Sequence, residues 1–283
     1  MLPAGFRAGG SMKFIPVTTF GGRFPIDDLV RPHLPALVDT VMVSHQSALQ
    51  LPPGKPPVKL MIDSGGFASR HESTRLHPRG DHASMTVKGE TLTPQGVLAL
   101  QERHASTAFT LDFMVLPEQD WQEQKRRYHY TILNALWAIK NRKQKTMRLY
   151  ASLQTLCPET AKEAVRIYRD AGFDGVGVGA LVPKARDLRA VQQVLETVLE
   201  ESGPMHVHAF GLGTPELIHL MQDLGVHSSD SSSYVQWAAY GWNWQGRVQQ
   251  GPMTQQSRAA LAVQNLRELL SITDFDYCTR GAA

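Results

Sequence analysis

Three observations predict that this 283-residue chain folds as one α/β domain, a (β/α)₈ barrel. Short apolar runs rich in β-formers alternate with longer stretches of helical period, the pattern of βα units wound around a parallel sheet. Eight such runs occur, the number that closes a barrel. Polar residues recur where these runs end, and that is the rim on which such barrels carry their sites.

The expected strands are Lys13–Thr18, Thr40–His45, Lys59–Asp63, Thr107–Phe113, Arg148–Gln154, Gly175–Gly179, His206–Phe210 and Val226–Ser229. Residues 1–11 are expected to be a disordered tail, with residues 12–283 forming the barrel. After the third strand, Ala68–Thr91 reads as a long polar insertion containing Arg70, Arg75, Arg79 and Lys88. Thr93-Pro94 then opens the helix Gln95–His104 with an N-cap and a first-turn proline. Over Lys184–Glu201, Leu188, Val191, Leu195, Val198 and Leu199 share one helical face. Thr214-Pro215 begins another helix, and Gly225 closes it. The segment 231–251 is rich in aromatics and glutamine, with Tyr234, Trp237, Tyr240, Trp242 and Trp244 suited to a core, an interface or stacking on unpaired bases.

Composition narrows the class without naming a reaction. No run approaches the roughly 20 apolar residues of a membrane helix, and the N-terminus lacks the apolar core of a signal peptide. Two cysteines, Cys157 and Cys278, make neither a disulfide framework nor a four-ligand zinc site. A reducing, cytoplasmic setting fits, and no metal or cofactor is called for. A net charge of +3 permits a polyanionic partner without demanding one.

The strand ends bring together Asp63, Asp112, Gln154, Gly179, the Gly211–Gly213 turn and Asp230. Asp63 begins Asp-Ser64-Gly-Gly-Phe67, whose glycines permit positive φ or close approach to a ligand; a helix-capping turn is the plainer reading. Asp112 stands among apolar neighbours, so it needs either an ion pair or a ligand's hydrogen bonds. The Gln154 amide both donates and accepts, which suits the edge of a heterocyclic base. Gly175-Val-Gly-Val-Gly179 arrives too late for a dinucleotide fingerprint and reads as bare backbone packed on a ligand. His206 and His208 share a strand face but lie below the mouth, where core or supporting roles suit them better than metal ligation. Asp230 sits among small serines, open to a bulky electrophile such as a sugar carbon.

Taken in order, DSGGF at 63–67, LTP at 92–94, Asp112, Gln154, GFDGVGVGAL at 172–181, HAFGLGTP at 208–215 and GVHSSD ending at Asp230 resemble the tRNA-guanine transglycosylases and their relatives that insert 7-deazaguanines into DNA. The resemblance covers most of the barrel. It implies that Asp230 attacks the anomeric carbon and that Asp63 shuttles the proton. It further implies that Asp112 and Ser64 hold the guanine edge and that Gln154 and the Gly179 N–H read O6. Ala180, Leu181 and Gly211 would line the base pocket, and Phe67 and Phe210 would sandwich the ring.

The departures from the family are specific. No cysteine cluster follows Asp230, little chain follows it, and Ala180 replaces a usual glycine. Ala185 stands where bacterial members hold an aminomethyl group with glutamate. These features favour DNA over tRNA as the polymer and a neutral 7-cyano base as the incoming group. Arg70, Arg75, Arg79, Lys125, Arg126 and Arg127 are the expected phosphate contacts. The run Lys140–Lys145 belongs to the far face, and a homodimer or an accessory protein is a further expectation of the resemblance. Two other classes compete. A phosphate-binding barrel isomerase or aldolase would need a Lys or Glu at a strand end, and none is well placed. A non-catalytic nucleic-acid-binding homologue would have no need of both Asp63 and Asp230.

Overall fold

The computed structural model describes residues 12–248 and 251–279; the expected tail at 1–11 lies outside them. Eight parallel strands form the barrel: β1 (Lys13–Pro16), β2 (Thr40–Val43), β3 (Lys59–Ile62), β7 (Thr107–Phe109), β8 (Arg148–Leu153), β9 (Gly175–Val178), β10 (His206–Ala209) and β11 (Ser228–Ser231). They neighbour one another in the order β1-β11-β10-β9-β8-β7-β3-β2. A parallel bridge between Val17 and Met42, with the Thr18 N–H donating to the Met42 carbonyl at 3.0 Å, brings β2 back to β1.

Side chains alternate in and out along each strand. Outward residues such as Val41, Leu60, Ile62, Leu149, Val176 and Val207 pack under the helices in one continuous core. Inward residues Ile15, Met42, Met61, Phe109 and Tyr150 form a separate cluster that fills the barrel, with Val17 and Phe210 against it. The inward positions of β9 are Gly175 and Gly177. A Cβ at Gly177 would lie 2.5 Å from Phe210 and 2.7 Å from Phe109, and one at Gly175 would lie 2.7 Å from Tyr150. The expectation that this glycine run bares its backbone to a ligand is therefore corrected. Gly175 and Gly177 make room for the barrel's own aromatic rings.

Helices α1 (Pro25–Val30), α2 (His45–Ala48), α3 (Pro94–His104), α4 (Trp121–Asn141), α5 (Pro158–Asp170), α6 (Leu188–Ser202), α7 (Pro215–Leu224) and α8 (Ser233–Ala239) follow the strands in turn, and α9 (Gln255–Thr279) packs on α1, α7 and α8. Thr93 caps α3 by accepting from the Gly96 N–H at 3.0 Å. Two expected boundaries move. The helix expected from Lys184 begins at Leu188, because Val182–Lys184 forms a 3₁₀ turn and Asp187 is the cap, accepting from the Ala190 N–H at 3.1 Å. The last barrel strand starts at Ser228 rather than Val226, because Gly225, at φ 80°, ends α7 and the Val226 N–H still bonds the Met221 carbonyl at 2.9 Å. Asp230 consequently lies within β11, not beyond it.

The insertion after β3 is ordered by its own small sheet: β4 (Arg75–Pro78), β5 (Ala83–Val87) and β6 (Glu90–Leu92), antiparallel throughout. Lys88 and Gly89 join β5 to β6 with φ of 51° and 84°, the positive values that a two-residue hairpin turn requires. Leu76, Ala83, Met85 and Val87 pack with Val97, Leu111 and Phe113 as a satellite core. After β11, Trp237 stacks within 5.1 Å of Trp244, whose indole N–H donates to the Asn265 carbonyl, so these two rings brace α8 against α9. The hairpin β12 (Trp242–Asn243) and β13 (Gly246–Arg247) leaves Tyr240 and Trp242 exposed beside it.

Candidate active site at the barrel mouth

Asp63 follows β3, and its Oδ1 accepts the N–H groups of His45 at 3.0 Å and Gly65 at 2.8 Å. Gly65 reaches this geometry at φ 76°. Burial is the main force that lifts the Asp63 carboxyl from an ordinary 3.8 to about 6, opposed by those two N–H groups and helped by the charges of Asp230 and Asp112. The three carboxylates thus share one electrostatic environment.

Asp112 is buried in the loop beyond β7. Ser64 Oγ donates to its Oδ1 at 2.7 Å and Gln154 Nε2 to its Oδ2 at 2.8 Å. Burial pushes its carboxyl pKa upward against those two hydrogen bonds. Gly66 packs directly onto it, since a Cβ there would lie 2.0 Å from Oδ1. The DSGG sequence therefore has two tasks: it fixes Asp63 and leaves room for Asp112. Gln154 passes over Gly179, where a Cβ would fall 2.6 Å from its Nε2, while its Oε1 accepts the Val115 N–H at 3.3 Å.

Asp230 is 8% exposed and projects inward beside Ile15 of β1. Its Oδ1 meets His208 Nε2 at 3.0 Å and accepts the Gly211 N–H at 3.2 Å. Gly211, at φ 75°, turns the chain so that this N–H points at the carboxylate. Gly213 clears space on the same rim, because a Cβ there would lie 2.3 Å from Ser231 Cβ.

Other expected site residues fall as follows. Phe210 is half-buried, 4.6 Å from Phe109 between ring centroids, with one side built into the barrel filling. Phe67 is 63% exposed, and the Arg70 guanidinium lies 5.0 Å from its ring centroid. The Gly179 N–H is not the free donor expected for O6, because it donates to the Leu153 carbonyl at 2.9 Å. The neighbouring Ala180, held at φ 59°, has an N–H without a partner among the described residues. Leu181 is buried beneath it. No sequence signal distinguished these two N–H groups, since the turn geometry decides which one is free.

Arg70 and Arg75 are exposed in the insertion after β3, and Lys125 and Arg126 are exposed on α4 after the adjacent strand β7. Arg79 is a correction: it is exposed at the β4–β5 turn, where its N–H donates to the His82 carbonyl and the His82 ring lies 5.5 Å from Trp137 in the last turns of α4, away from the mouth. Arg126 is partly engaged with Glu123 and the Leu76 carbonyl. Arg127 is a correction. It is 6% exposed and donates to the carbonyls of Ser69 at 2.8 Å and Met114 at 3.0 Å, with Glu123 at 2.8 Å. Its guanidinium is committed inside the protein and is not a phosphate contact. A cavity of about 820 Å³ opens at the opposite end of the barrel, beside Asp39, Lys59, His104 and Ser106. It lies at the strand N-termini, away from the carboxylates.

Fold and site together define a (β/α)₈-barrel protein with three aspartates gathered at the mouth. Comparison with known sequences places it more closely. The family model described as queuine tRNA-ribosyltransferase matches residues 53–265, and the chain belongs to that family. Similar relatives include the queuine tRNA-ribosyltransferases of Thermotoga petrophila and Thermotoga maritima, each 26% identical over 231 residues and covering 74% of this chain. The chain spans 62% of the length of these relatives.

Proposed function

We propose that the protein is a base-exchanging glycosyltransferase that replaces a guanine in nucleic acid with a 7-deazaguanine through a covalent Asp230 intermediate. The observation that carries this reading is the asymmetry of Asp230. One oxygen is held by two donors, and Oδ2 has no hydrogen-bond partner among the described residues. Oδ2 attacks C1′ of the sugar and the C1′–N9 bond breaks. Guanine departs with the proton from Asp63, whose elevated pKa keeps part of it protonated near neutrality. The charge lost at Asp230 reappears at Asp63, and the weaker repulsion between the two stabilises the new carboxylate. In the return step the incoming base gives its N9 proton to Asp63, N9 bonds to C1′, and Asp230 is released. Oxocarbenium character at C1′ is favoured by the nearby carboxylates.

Asp112, with Ser64 and Gln154, would receive the guanine edge, its two bonds rearranging toward the base N1–H and amine. The Ala180 N–H, rather than that of Gly179, is the donor we assign to O6. Phe210 and Phe67 would flank the ring. DNA is the polymer we favour, because the chain after Asp230 folds as α8, a hairpin and α9 instead of a cysteine cluster. A tRNA substrate is the second reading, supported by the names of the matched relatives. The 7-cyano base is favoured by Ala185. A cytoplasmic setting and a homodimer or accessory partner belong to the same reading.

The test is exchange of labelled guanine into duplex DNA and, in parallel, unmodified tRNA. Incorporation into DNA that disappears in Asp230→Ala is the expected result. Incorporation into tRNA alone reverses the choice of polymer, and activity that survives Asp230→Ala overturns the covalent mechanism.

A further inference from the structure

His208 is fully buried among aromatic rings, with centroids 5.0 Å from Phe109 and 5.1 Å from Phe210. An aliphatic side chain would fill that space without the cost of burying a polar ring. Both imidazole nitrogens are engaged: Nδ1 lies 2.9 Å from Ser228 Oγ, and Nε2 lies 3.0 Å from Asp230 Oδ1. An ionised carboxylate only accepts hydrogen bonds, so Nε2 carries a proton. In the neutral ring Nδ1 is then an acceptor, and Ser228 donates to it. The register supports this chain of contacts, since His208 and Ser228 are paired neighbours on β10 and β11 and Asp230 lies two residues further up the same face.

Resting on the glycosyl-transfer reading above, we infer that His208, fixed as the Nε2–H tautomer by Ser228, is a positioning residue whose main effect is on the release of Asp230 from its sugar ester. Before attack, His208 and the Gly211 N–H anchor Oδ1 and leave Oδ2 to face the sugar. After attack, Oδ1 is the carbonyl oxygen of a neutral ester and accepts both hydrogen bonds more weakly. When the incoming base forms its N9–C1′ bond, the C1′–Oδ2 bond breaks and its electron pair returns to the carboxylate. Both donors strengthen at that moment, since hydrogen bonds to a charged acceptor are about twice as strong as neutral ones. The donors therefore assist departure of the carboxylate more than they assist its attack.

The experiment compares His208→Gln with His208→Asn in the full chain. The Gln amide reaches the place of Nε2 and can donate to Asp230, whereas the shorter Asn amide reaches only the place of Nδ1. Formation of the covalent adduct with a guanine-containing oligonucleotide and its breakdown on chase with a 7-deazaguanine base are timed separately. For His208→Asn, breakdown is expected to slow by about 10- to 100-fold, the range for a lost or misplaced group at a reacting centre. Formation should slow by less, so the adduct accumulates. His208→Gln should recover most of the loss. Ser228→Ala, which frees the tautomer, should fall between them. Equal rates for Gln and Asn with matched melting temperatures would overturn the assignment, as would a loss confined to formation. An Asp230→Ala variant that still exchanges base would instead overturn the glycosyl-transfer reading itself, which separates the two failures.

Discussion

Asp63 shows how one carboxyl serves as both acid and base, because its environment balances opposing effects. Burial and two neighbouring carboxylates raise its pKa to about 6, while two backbone N–H groups hold it in place. Since the folded value exceeds the unfolded one, the native state binds more protons between about 4 and 6 and loses stability as pH rises through that window. Asp63→Asn, which keeps an acceptor for His45 and Gly65, should be more stable than the parent above pH 6, by on the order of 3 kcal/mol. The difference should vanish near pH 4, and urea titrations at the two pH values check it. The parent should show a fall in guanine release above about pH 6 in single-turnover assays, and the same variant should lose it. Asp63 and Asp112 were legible in the sequence, because a carboxylate ending an apolar run is conspicuous, and Asp230 stood out among its small serines. The free N–H at Ala180 was not, since positive φ at an alanine leaves no mark in composition.

Between residue and fold, α4 and the insertion after β3 are joined by arginines that resemble nucleic-acid contacts in sequence. Arg126 and Arg127 are adjacent and equally basic, yet the roughly 100° between neighbours on a helix puts one at the surface and the other against the Ser69 and Met114 carbonyls. Arg127→Ala would leave the Ser69 and Met114 carbonyls without their donor, while Glu123 keeps Arg126. It should cost about 1–3 kcal/mol, the range for buried acceptors left unsatisfied, as measured by chemical denaturation. Arg70→Ala and Arg79→Ala should leave stability within about 0.5 kcal/mol. The glycines of β9 present the same difficulty. Their spacing is a local pattern, but their purpose depends on Phe109 from β7 and Phe210 beyond β10, which no short-range reading can supply. Gly177→Ala should destabilise by about 1–3 kcal/mol through overpacking, and shortening Phe210 to Leu in the same chain should recover part of the loss. If Gly177→Ala is neutral in thermal unfolding, the barrel filling is looser than its distances indicate.

At the scale of the whole molecule, periodicity disclosed all eight strands, because each alternates with a helix and must bury its outer face. What it left open was the stagger of the barrel, which decides that Asp230 lies inside β11 and beside His208 rather than in a loop. Charge follows the same logic. The net charge of +3 is small, yet Arg70, Arg75, Lys125 and Arg126 gather on the mouth side of two adjacent strands, β3 and β7. The Lys140–Lys145 run spans the end of α4 and the loop before β8, at the other end of the barrel. A polyanion guided by this asymmetry should approach the mouth from the β3–β7 side. Each phosphate contact contributes roughly 0.9 to the slope of log binding constant against log salt on duplex DNA. Replacing Arg70 and Arg75 together by alanine should therefore lower that slope by about 2 and weaken binding at low salt. Neutralising Lys143 and Lys145 should change neither. A slope that responds to the second pair and not to the first would place the nucleic acid at the opposite end of the barrel, where Asp63 and Asp230 could not reach it.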